Sequence, residues 1–109
     1  MVFSPDCSHC QHTAEQLYKY KDSLPDIQIL MVTMHPTYLM NAFIEKYKLN
    51  EIPHLTAARD LYYFTPSFYK ISSLPFMVFY DNKGNLISSF EGTMTIPKVI
   101  KMFQKREQK

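Results

Sequence analysis

Apolar residues come in two rhythms along this chain. Ile27 to Val32 and Phe76 to Tyr80 are short, mostly unbroken runs of strand length, which predict strands buried on both faces. Other stretches repeat at helical spacing. Leu39, Met40, Phe43, Ile44 and Tyr47 predict a helix over Thr37 to Lys48, opened by Pro36. Ile96, Val99, Ile100 and Phe103 fall at i, i+3, i+4 and i+7 and predict a final helix, with Thr95 as its cap and Pro97 in its first turn. Gln11 to about Asp22, carrying Leu17, Tyr18 and Tyr20 among polar residues, is helix-compatible and stops near Leu24-Pro25-Asp26.

The remaining segments are punctuated. Met1-Val2-Phe3 reads as the tail of a strand broken by Ser4-Pro5-Asp6. Ile52 to Thr56 suggests a short extended piece, and Leu61 to Tyr69 a short helix or ordered loop interrupted by Pro66. Its aromatics, Tyr62, Tyr63, Phe64, Phe68 and Tyr69, are expected in the core, because large rings dominate the cores of small domains; a docking surface is the alternative. Asp81-Asn82-Lys83-Gly84 is a turn signal between Phe76–Tyr80 and an alternating run from Asn85 to Phe90, so a β-hairpin closed by Gly92 is predicted. The order is strand, helix, strand, helix, irregular or helical segment, strand, hairpin strand, helix. It predicts an α/β fold with a βαβ first half and a ββα second half with an antiparallel edge.

Composition narrows the class. A chain of 109 residues is expected to form one domain, residues 1–109. A net charge of +2 with acids and bases interspersed points neither to nucleic acid nor to a polybasic membrane surface. The basic run Lys101 to Lys109 reads as the solvated end of a helix. No apolar stretch approaches the roughly 20 residues of a membrane span, and no signal-peptide pattern opens the chain. A three-residue strand is short for a buried position, which suggests a fragment of a longer chain.

Cys7-Ser8-His9-Cys10 holds the only two cysteines. Two cysteines three apart on the first turn of a helix lie on one face, at a separation a disulfide tolerates. The helix N-terminus favours a thiolate at the first of them. Cys7 is thus the candidate nucleophile and Cys10, one turn deeper, the resolving thiol. Such exchange needs no cofactor. His9 beside the thiolate either stabilises the reduced form and tunes the potential, as Ser8 does in the same loop, or is simply exposed. The competing chemistry is a zinc or copper site on Cys7 and Cys10 in a non-enzymatic binding module, with His12 and one of His35 or His54 completing the set; the histidine spacings fit no common zinc module. A structural, inert pair is the third reading. A peroxidase reading is weaker, since no Thr-x-x-Cys motif is present.

A strand-to-helix Cys-x-x-Cys in this element order resembles the thioredoxin fold. A second motif agrees: Tyr69, Ile71 and Pro75, then the strand from Phe76, Asp81 and Gly84, look like the family's Tyr-x-Ile-x-x-x-Pro, strand, Asp-x-x-Gly pattern. Phe3-Ser-Pro-Asp-Cys-Ser-His-Cys10 looks most like the TlpA/ResA-like thiol-disulfide oxidoreductases of Bacteroidetes-type bacteria. The resemblance implies a central mixed sheet flanked by helices, here without the usual N-terminal strand and helix. It implies a cis Leu74–Pro75 bond beside the disulfide, with Leu74 and Pro75 shaping the substrate groove, where Leu74 could pair with an extended substrate strand. It also implies protein thiols or disulfides and a redox partner protein as partners, and a periplasmic or exported location rather than a cytoplasmic one. The sequence departs from thioredoxin in having Asp6 before the first cysteine and Ser8-His9 between the two. Direction of electron flow and oligomeric state are not read from the residues.

Overall fold

The computed structural model describes residues 1–92 and 95–107. Helix α1 (Ser8–Lys19) is followed by strand β1 (Ile29–Thr33), α2 (Thr37–Lys46), β2 (Leu55–Arg59), α3 (Phe64–Tyr69), β3 (Phe76–Tyr80), β4 (Leu86–Glu91) and α4 (Ile96–Glu107). Short 3₁₀ turns at Lys21–Ser23 and Leu49–Glu51 close the first two helices. Of the basic run at the end of the chain, residues 108–109 lie outside the described residues.

Val2 knits two strand pairs into one mixed sheet. β1 and β2 pair in parallel, with Met31 opposite Ala57. β3 and β4 pair antiparallel, with Val78 opposite Ser89. The stub Met1–Phe3 lies between them, bridging Val32 in parallel and Phe76 antiparallel. Its backbone is paired on both sides: Val2 N–H to Phe76 O at 2.8 Å, Phe3 N–H to Val32 O at 2.9 Å, and Val32 N–H to Met1 O at 2.8 Å. The spatial order is therefore β2, β1, stub, β3, β4, so the chain segment that enters the Cys7 loop leaves from the middle of the sheet.

Period-two alternation along β1 sends Ile29, Met31 and Thr33 to one face, where Met31 and Thr33 have no exposed surface. There they meet a core of Phe3, Cys10, Ala14, Leu17, Phe43, Leu49, Ile96 and Ile100, drawn from the stub and three helices. Phe3 packs on Phe43 with ring centroids 4.8 Å apart. A second cluster sets Met77 and Phe79 of β3 against Val99 of α4. The final helix buries Ile96, Val99 and Ile100, as its stripe requires.

Two expectations are corrected. The extended piece near Ile52 begins three residues later, because Ile52 is buried behind a 3₁₀ turn and His54 takes a left-handed φ of 61°. Pairing with β1 starts only at His54 O, which accepts the Ile29 N–H. The aromatics of the α3 region are not core: Tyr62 is 89% exposed, and Tyr63, Phe64 and Phe68 each about as exposed as one another at 60–62%. Pro66 forces this short helix to start just ahead of it, since an N–H-less residue is tolerated in the first turn. That geometry turns one ring row outward, where Phe64 and Phe68 stack on each other at 5.2 Å.

Candidate active site

Cys7 is the N-cap of α1, with an extended backbone, and its sulfur accepts the Cys10 N–H at 3.2 Å. The sulfur thus stands where a Ser or Asp oxygen ordinarily satisfies an unpaired N–H of the first helical turn. Helical spacing then places Cys10, Thr13, Ala14 and Leu17 on the buried side of α1. Ser8, His9 and His12 point to the exposed side. Both cysteines are free thiols; Cys7 is half-buried and Cys10 fully buried. Burial, with the hydrogen bond to Cys7 adding to it, pushes the Cys10 thiol up to about 12.

The Leu74–Pro75 peptide bond is cis, and the Leu74 carbonyl lies 3.7 Å from the Cys7 sulfur. Pro75 is fully buried and opens β3. The structure therefore brings Cys7, Cys10, Leu74 and Pro75 together at one end of the sheet, with Ser8 and His9 on the solvent rim. The loop is latched by Gln11, whose side-chain amide donates to Pro5 O at 2.9 Å, and by Cys7 N–H to Ser4 O at 3.1 Å.

The zinc set is not assembled. His54 lies 3.8 Å from Asp26, beside the entry to β1, whereas the cysteines stand beyond the exit end of the stub. His35 is engaged by Ser4 instead, its Nε2 2.9 Å from the Ser4 Oγ. Among the described residues no group of three or more His, Cys, Asp or Glu side chains converges on a metal position. That Ser4–His35 contact is the part of the site that sequence reading missed. Ser-Pro and His-Pro at the ends of two strands are the signal that could have pointed to it.

The order and pairing of these elements define a thioredoxin-like fold. Solved structures share it: MTB DsbF, at 21% identity, covers 92% of this chain and 72% of its own with a TM-score of 0.75. A secreted disulfide oxidoreductase of Mycobacterium tuberculosis, homologous to DsbE of E. coli, is 20% identical over 90% of this chain and 72% of its own, with a TM-score of 0.73. StoA of Bacillus subtilis is 17% identical, over 92% and 76%, with a TM-score of 0.70. No protein-family model matches the sequence, and no curated protein matches it significantly.

Proposed function

We propose that this chain is a thiol-disulfide oxidoreductase of the TlpA/ResA-like kind, working through residues 1–109 as one thioredoxin-like domain. The observation that carries the reading is the contrast between two sulfurs one helical turn apart. Cys7 is reachable and accepts a helix-terminal N–H; Cys10 is buried behind it as a protonated thiol. Attack on a substrate disulfide by Cys7 breaks the substrate S–S bond and leaves a mixed disulfide at Cys7. Cys10, deprotonated, then attacks Cys7 and expels the second substrate thiolate. Two electrons pass to the substrate, and Cys7–Cys10 is left oxidised.

Leu74 and Pro75 wall the approach to Cys7, and the Leu74 backbone offers an edge for an extended substrate segment. His9 and Ser8 tune the potential from the solvent side. Partners are protein disulfides and a redox partner protein. The secreted mycobacterial neighbour and an exposed pneumococcal lipoprotein thioredoxin of the same fold support an exported, periplasm-type location.

The test is the equilibrium potential of Cys7–Cys10 in glutathione or dithiothreitol buffers, with Cys10→Ser as a trap. A value nearer about −270 mV marks a reductant, and one nearer about −120 mV an oxidant. A pair that forms no reversible disulfide, with no mixed disulfide on Cys10→Ser, would end the redox reading.

A further inference from the structure

Three parallel segments end on the same side of the sheet. The stub runs out into the Cys7 loop, β1 into Met34 and His35, and β2 into Asp60 and the α3 region. Contacts tie these exits together. The Asp60 N–H donates to Thr33 O at 2.8 Å, the Thr65 hydroxyl lies 3.9 Å from the Met34 sulfur, and His35 Nε2 lies 2.9 Å from the Ser4 Oγ. Ser4 O in turn accepts the Cys7 N–H at 3.1 Å. The α3 rings therefore share one edge of the molecule with the reactive sulfur.

A second path runs through the rings themselves. Phe64 stacks on Phe68 at 5.2 Å, Phe68 meets Tyr69 edge-on at 4.8 Å, and Tyr69 lies 5.8 Å from Phe76. Phe76 is buried and directly follows Pro75, and the Leu74 carbonyl lies 3.7 Å from the Cys7 sulfur. At the other end of this ladder Tyr62, Tyr63, Phe64 and Phe68 face water. Leu61 to Tyr69 contains no charged residue, so the row offers nothing to a strongly charged partner. Four such rings present on the order of 500 Å². A stable pairing of two folded proteins takes roughly 800 Å² from each. The row is therefore too small to hold a second copy of this chain stably, and large enough for a few residues of an extended chain.

We propose that the α3 aromatic row is a docking surface for an extended, apolar segment of a non-native substrate protein, flanking the disulfide that Cys7 attacks. This rests on the oxidoreductase reading and adds to it the folding state of the substrate. A segment of about six residues spans ~20 Å when extended. It can lay its disulfide at Cys7, cross Leu74 and Pro75, and set an aromatic or large aliphatic side chain on Phe64 and Phe68. Folded proteins keep such side chains inside. A chain that shows one beside its disulfide is unfolded or wrongly paired, so the row directs the redox pair to such chains and adds no affinity for small disulfides. Phe and Tyr suit the task, because they offer wide contact area at little conformational cost.

Two disulfide-bonded peptides of equal length test this. One carries Phe and Leu about three to six residues from its cystine on either side, and the other carries Ser at the same places. Single-turnover reduction by the reduced chain leaves Cys7–Cys10 oxidised and the peptide a dithiol; with peptide below saturation, its rate reads docking and attack together. The parent should reduce the apolar peptide about tenfold faster, the order expected from burying one large side chain. In Phe64→Ser/Phe68→Ser the ratio of the two rates should fall to within about twofold of one. Each ratio is taken within one protein, so a general loss of activity cancels. A cysteine-free copy of the apolar peptide should slow reduction of the apolar peptide by the parent, a check that needs no variant to fold. Equal rates on the two peptides, no competition, or a tenfold ratio that survives in the double variant overturns the proposal and leaves the oxidoreductase reading standing. So does self-association of the parent that the double variant loses, since a second copy would then cover the row. A parent active on dithiobis(nitrobenzoate) but on neither peptide also overturns the proposal alone, whereas one active on none of the three removes the redox reading along with it.

Discussion

Cys10 keeps its proton because its sulfur sits among Phe3, Ala14 and Leu17, where an anion finds little solvation. The same burial makes the reduced fold sensitive to alkali. In the unfolded chain this thiol would ionise from about 9, whereas in the fold it is held up to about 12. Between those values the folded state binds the extra proton, so stability falls as pH rises. The expected loss approaches about 1.4 kcal/mol for each pH unit climbed in that window. Urea midpoints of the reduced chain, compared with Cys10→Ala at the same pH values, isolate the effect from tyrosine and lysine titration. Parallel pH profiles for the two would show that Cys10 ionises freely in the fold. The oxidised chain has no thiol to titrate and should lack the slope.

At the scale of elements, α3 is the least self-sufficient piece. Its N-cap, Tyr63, sits in a left-handed conformation and offers no side-chain cap. Asp60 replaces it from outside: its carboxylate accepts the Phe64 N–H at 3.0 Å, the Thr65 N–H at 2.7 Å and the Thr65 hydroxyl at 2.8 Å. Desolvation pushes this carboxyl up, but the donors from Thr65 and Phe64 outweigh it and hold the group below its ordinary value. Stabilisation of that sign is present at neutral pH and is lost as pH falls through the folded value. Asp60→Ala should therefore cost about 0.5 kcal/mol near neutrality, a cap's worth reduced for partial exposure, and the gap from the parent should close below 3.8. A gap that stayed constant into acid would mean the carboxylate's charge plays no part. The turn of the hairpin offers a simpler check. Gly84 has φ +82° with open space around it, so Gly84→Ala should cost about 1 kcal/mol through backbone strain alone.

Elements whose apolar pattern was regular were legible to within a residue or two: α2, β3, β4 and α4 lie where periodicity puts them. β2 slid because a left-handed His54, which no pattern marks, delays its pairing. The proximity of Cys7, Cys10 and Pro75 could be anticipated because each rests on a local motif. The Ser4–His35 contact could not, since it depends on two strands lying side by side. Composition misplaced the α3 aromatics for a related reason: ring content measures what could be buried, while a six-residue helix started by Pro66 decides which way the rings turn.

Across the whole molecule, that distribution of rings divides the aromatics into those that hold the fold and those that do not. Phe3 has no exposed surface and joins the stub to α2 through Phe43, so truncating it removes apolar contact at the centre of the sheet and leaves a cavity under Cys10's helix. Phe3→Ala should cost about 3–5 kcal/mol, a large part of the roughly 5–15 kcal/mol that holds a domain together. Tyr62, at 89% exposed, and Phe64, at 60%, contribute little that water does not already reach. Tyr62→Ser and Phe64→Ser should each stay within about 0.5 kcal/mol of the parent. Chemical denaturation of the three variants measures the division directly. A loss of several kcal/mol in Tyr62→Ser or Phe64→Ser would return these rings to the core, and the outward face of α3 would have to be abandoned. Near-parent stability would leave an exposed aromatic row beside Met34 and β1's exit, where Thr65 holds α3 in place. Such a row is maintained at no benefit to the fold's own stability.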